Sequence, residues 1–98
     1  MEKDEFIRKM KDQFNELNFR YSTERDKIEA RAQHLSAEAR VAVEDELKKL
    51  QQLRKEMKEK IVDLEVAGEN AWFEVKEGSE KAWKELSEAL KKASAHFK

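Results

Sequence analysis

Cysteine and proline are both absent from this sequence of 98 residues, and glycine occurs only at Gly68 and Gly78. Without cysteine there are no disulfides and no thiol chemistry, and nothing marks a redox compartment. No apolar run approaches the roughly 20 residues that span a bilayer. The opening MEKDEFIRKMKDQF carries acids and bases where a secretory signal would carry an apolar stretch. These absences predict a soluble, cytoplasmic chain without a membrane span. An excess of one charge is also missing: 21 bases stand against 22 acids. Residues 1–49 hold 11 bases and 12 acids, and residues 50–98 hold 10 of each. Neither half is drawn electrostatically to nucleic acid, so no nucleic-acid partner is expected.

What remains is charged and helix-forming. Charged residues make up 44% of the chain and apolar ones 39%. Abundant Ala, Glu, Lys, Leu and Arg with few breakers is the composition of long helices and coiled coils. The apolar residues are not scattered. Stepping by eleven from Trp72 gives Phe6, Leu17, Ile28, Ala39, Leu50, Ile61, Trp72, Trp83 and Ser94, of which only the last is polar.

In the C-terminal half, the positions three and seven later complete a stripe: Leu53, Leu64, Val75, Leu86 and Phe97, then Met57, Gly68, Ser79 and Leu90. In the N-terminal half the stripe uses the positions four and eight later, giving Met10, Phe14, Tyr21, Ala32, Val43 and Leu47, with Leu35 close by. The two stripes change over near residues 43–53. Eleven residues in three turns is about 3.67 per turn, which gives a nearly straight or gently right-handed coiled coil. The expectation is an all-α chain, 1–98 forming one helical coiled-coil unit. Its stripe would be the seam of a homo-oligomer, and the Trp pair would pack in that seam.

Acids four residues ahead of bases recur, as in Glu16–Arg20, Glu44–Lys48, Glu56–Lys60 and Glu88–Lys92. Each such pair adds only about 0.2–0.5 kcal/mol to a helix. Three stretches could interrupt the helix. Residues 21–26 offer Ser22 or Thr23 as an N-cap. Residues 34–40 offer Ser36, with Glu38 in the first turn. Residues 66–72 offer Gly68 as a C-cap and Asn70 as a new N-cap. The stripe runs through Gly68 in step, which favours one continuous helix of about 147 Å. The alternative is a helical hairpin turning near residues 66–70.

Chemistry-bearing motifs are missing. Glycine-rich phosphate loops and paired Cys or His ligand spacings do not occur. His34 with Glu38 is one i, i+4 pair, whereas a structural metal needs about four ligands. No serine has a base placed to activate it. No catalytic residue, cofactor or metal is therefore expected, and the chain reads as a non-enzyme.

From about residue 39 to residue 98 the chain resembles small bacterial coiled-coil proteins of the stress-response or apolipoprotein-like type. The tandem AWFEVKEGSEKAWKELSEALKKASAHF carries the likeness through Ala71, Trp72, Val75, Lys76, Gly78, Ala82, Trp83, Leu86, Ala89, Ala93 and Phe97. Ser94 stands where a third Trp would continue the repeat. The resemblance implies an all-helical, non-enzymatic protein raised under stress, and it supplies no ligand residues. The reading is a self-associating structural or interaction protein whose partner is itself. The alternative is a stress-protective amphipathic helix lying on a lipid surface. The narrow stripe and the matched charges count against that alternative, because in-plane helices have broad apolar faces and basic flanks.

Overall fold

Two turns divide the stripe. The computed structural model describes residues 3–96, which form α1 (Lys3–Ala32), α2 (Ala37–Val66) and α3 (Trp72–His96). The all-α expectation holds. The single continuous helix does not, since a rod of this length would exceed 140 Å or so, and the longest dimension is 52 Å. The hairpin alternative near 66–70 is found, joined by a second turn at residues 33–36.

The first turn is closed by a side-chain cap. Ser36 is extended (φ −63°, ψ 163°), and its Oγ accepts from Ala39 N at 3.3 Å. Glu38 sits in the first turn, where the helix dipole favours an acid. The trailing carbonyls of α1 find donors too. Arg31 O accepts from His34 N and Ala32 O from Leu35 N, both at 3.1 Å. The candidate break at 21–26 is continuous helix instead. There Thr23 Oγ1 donates to Phe19 O one turn back, at 3.2 Å, a back-bond that helices accommodate.

The second turn is closed mainly by backbone. Ala67 ends α2 with φ −69° and ψ 136°, and its N–H donates to Asp63 O at 3.0 Å. Gly68 O then accepts from both Ala71 N and Trp72 N, each at 3.1 Å. The Lys3 ammonium donates to Ala67 O. The C-cap is thus Ala67 rather than Gly68, and no glycine has positive φ. Asn70 lies inside the turn, and α3 begins at Trp72.

The three helices run up, down and up. Lys11 meets Glu65 at 3.1 Å and Asn18 meets Arg54 at 2.8 Å, so α1 and α2 are antiparallel. The Phe6 and Trp72 rings lie 6.4 Å apart, at the N-terminal ends of α1 and α3. In α2 and α3 the most buried positions recur every seven residues, at Val43, Leu50, Met57 and Leu64 and then at Trp72, Ser79, Leu86 and Ala93. In α1 they keep the eleven-residue spacing, as Phe6, Leu17 and Ile28 and as Met10, Tyr21 and Ala32. A seven-residue period suits helices packed at shallow angles. Seven- and eleven-residue periods share their three- and four-residue steps and diverge by only about 5° per residue. Helices of 25–30 residues therefore separate the two periods only near their ends. There Ala93 is fully buried, while Ser94, on the eleven-residue stripe, is half-buried.

Candidate interaction surface

The stripe is an internal core. Phe6, Met10, Leu17, Tyr21, Ile28, Val43, Leu50, Met57, Ile61, Leu64, Trp72, Ser79, Leu86 and Leu90 are buried among one another. Phe14, Leu47, Leu53, Val75 and Trp83 pack against them partly buried, and Ala39 is half-buried. Two stripe positions fall in turns and are exposed: Leu35 and Gly68. Phe97 lies outside the described residues. Ile7 joins the core without having been singled out in the sequence. Ser79 has a hydroxyl in this core, and it donates to Val75 O at 2.8 Å. These side chains are covered by the same chain.

An open groove lies between α1 and α2. Phe14, Ile61 and Val62 give it an apolar floor. Its lining also holds five bases (Lys11, Lys48, Arg54, Lys55 and Lys58) and one acid, Glu65. Two of these cations are held in place. Lys11 pairs with Glu65, and Arg54 donates from Nε to Asn18 with its guanidinium 4.0 Å over the Tyr21 ring. Lys48, Lys55 and Lys58 are exposed along α2 over about 15 Å of helix.

The groove between α2 and α3 has the opposite balance. Asp45 and Glu46 of α2 and Glu85 and Glu88 of α3 outnumber Lys49 and Lys92 around Leu50, Leu53 and Ala89. Helix α2 therefore carries a basic flank toward α1 and an acid-rich flank toward α3. Charge totals hide this, because both the whole chain and its two halves are balanced. The signal was present at helical spacing: residues 48, 55 and 58 fall on one side of α2 once its ends are fixed.

Among the described residues, no group of three or more His, Cys, Asp or Glu side chains could hold a metal ion. No described helix is long and apolar enough to cross a membrane. No protein-family model matches the chain, and neither a curated protein nor a solved structure matches it.

Proposed function

We propose that this chain is a non-enzymatic structural and interaction protein that associates with copies of itself. The observation that carries this reading is the opposite charge of the two flanks of α2. The basic α1/α2 groove of one copy offers an apolar floor and exposed ammonium groups. The α2/α3 face of another copy offers four carboxylates around a small apolar strip. Such a contact joins two different surfaces, so it propagates head to tail unless its geometry closes a ring. Complementary charge speeds encounter and sets register more than it adds affinity. The resulting assembly is reversible and sensitive to salt.

Sedimentation velocity over a range of concentrations tests this. Association should appear at low salt and fall away by about 0.5 M salt, where screening acts within a few ångström. Lys55→Glu with Lys58→Glu should abolish it while leaving helix content unchanged. Finding no low-salt association that either salt or charge reversal removes would overturn the proposal. So would a monomer that binds anionic vesicles but never another copy, which is the result the lipid-surface alternative requires.

A further inference from the structure

We propose that two copies of this chain exchange α3, the turn at residues 67–71 straightening so that α2 and α3 become one helix. The proposal shares with the preceding one only the identity of the partner, a second copy. It needs none of the charged flanks.

The turn is close to helical already. At Ala67 φ is already helical at −69°, and it is ψ, at 136°, that must change there. Trp72 N already donates to Gly68 O, the i to i+4 bond of a helix. Neither glycine has positive φ, and a methyl group at Gly68 would meet nothing within 4 Å. No proline stands in the segment AGENA. The contrast with the other turn is chemical. Ser36 Oγ caps α2 from its own side chain, whereas Ala67 O is met by the Lys3 ammonium from α1. In a continuous helix Ala71 N would take the place of Lys3 at that carbonyl.

Phase decides whether straightening leads anywhere. At 100° per residue, the direction of the α2 core around Met57, Ile61 and Leu64 differs by only about 30° from that of the α3 core around Trp72, Val75 and Ser79. The fused helix therefore presents both cores on one face. A second fused helix, running antiparallel, can then dock its α3 on the first copy's α2 while offering its own α2 in return. Each α3 recovers the same core neighbours it has in the single chain, and only the turn changes. Had the two cores pointed to opposite sides of the fused helix, one of them would be left in water. The continuity of the stripe through Gly68 thus has a physical use even though the single chain bends there.

Two substitutions push the turn in opposite directions. Gly68→Ala favours the fused helix, because Ala exceeds Gly in a helix interior. Counted over two chains, the dimer should tighten about thirtyfold. Gly68 O accepts from Ala71 N across a four-residue turn, which puts Glu69 at its second position, where proline fits. Glu69→Pro should leave the bundle intact and weaken the exchanged dimer by about 10⁴-fold, since proline breaks both fused helices.

The experiment holds the wild type and both variants at about millimolar concentration through slow heating and cooling, then dilutes them into high salt. Light scattering after size exclusion counts the copies, and small-angle X-ray scattering gives the length. The expected result is a dimer that survives salt, gains in Gly68→Ala and vanishes in Glu69→Pro. Its length should be set by a fused helix of about 90 Å, against 52 Å for the bundle. Should Glu69→Pro lose helix content, lengthening the turn by a Gly-Ser pair serves instead, because it rotates α3 by about 200° relative to α2. A salt-resistant dimer that persists in the turn variant that folds, or that is no longer than two bundles side by side, overturns the exchange. So does a monomeric Gly68→Ala. A salt-labile association retained in Glu69→Pro would leave the charge-docked assembly standing while the exchange fell.

Discussion

The Arg54 guanidinium lies 4.0 Å over the Tyr21 ring while its Nε donates to Asn18 Oδ1 at 2.8 Å. One arginine on α2 thus joins two residues of α1 at the rim of the basic groove. Tyr21 itself is buried. The arrangement uses the planar guanidinium in a way an ammonium cannot reproduce. Arg54→Lys should lower unfolding free energy by about 0.5–2 kcal/mol. A double-mutant cycle of Arg54→Ala with Tyr21→Leu, followed by denaturant unfolding, should give a coupling of about 0.5–1 kcal/mol. Additive single effects would show that the stacking contributes nothing.

The two indoles differ in burial, and their fluorescence should differ accordingly. Trp72 is 7% exposed against Phe6, while Trp83 is only partly buried at the edge of the core. Trp83→Phe, which leaves Trp72 as the sole emitter, should give a blue-shifted spectrum that acrylamide quenches poorly. Trp72→Phe should leave a redder and more quenchable emitter. Equal quenching of the two variants would mean that the α3 orientation around Trp72 is wrong.

The sequence exposed the core residues better than it exposed the fold. Phe6, Leu17, Leu50, Ile61 and Trp72 could be picked out because burial selects apolar side chains wherever the helix faces its neighbours. The turns were harder, because both preserve helical phase. Ile28, Ala32, Leu35 and Ala39 step across the first turn as Ile61, Leu64, Gly68 and Trp72 step across the second. A bend that costs no rotation leaves the helical phase of the apolar stripe unbroken. Local chemistry shows the bends: Ser36 was a visible cap, and Gly68 marked the second turn. The basic groove was legible only on its α2 side. Lys48, Lys55 and Lys58 line one surface with Lys11 only after α1 and α2 fold antiparallel.

Ser36 and Asn70 were both candidate caps, and the structure distinguishes them. Only Ser36 is in place, accepting from Ala39 N. Ser36→Ala should destabilise the bundle by about 1 kcal/mol. Asn70→Ala, inside the turn, should change stability by less than about 0.5 kcal/mol. Thermal unfolding of the two variants ranks them. An Asn70 effect as large as that of Ser36 would point to a cap on α3 that this geometry lacks.

Salt should act on assembly and spare the fold. The ion pairs Lys11–Glu65 and Arg25–Asp26 are substantially exposed, and such pairs are typically worth under about 1 kcal/mol. The core is apolar and stays so at any ionic strength. Raising salt to about 0.5 M should therefore move the Tm by no more than a few degrees. Over the same range, the charge-docked part of the concentration-dependent sedimentation should disappear. If the Tm of the isolated monomer fell steeply with salt, the charged faces would be holding the helices together.

A change of turn length separates a bend at Gly68 from a continuous rod. Inserting Gly-Ser between Gly68 and Glu69 lengthens the five-residue turn to seven. Loop-closure entropy then costs only about 0.3 kcal/mol. In the bundle, α3 is oriented by the core it shares with α2, which includes Leu64 and Met57. The turn merely delivers it, and the extra residues can be absorbed as slack. In a rod, the same insertion would rotate everything after Gly68 by about 200°. Leu86 and Leu90 would then be turned away from the stripe upstream. Denaturant unfolding of the insertion variant should give stability within about 0.5 kcal/mol of the parent, with an unchanged m-value. Leu86→Ala should still cost about 2–5 kcal/mol in the insertion background, because the leucine remains in the core. A large loss of stability from the insertion, with Leu86→Ala now nearly silent, would show that α3 depends on helical phase from α2 and would restore the rod.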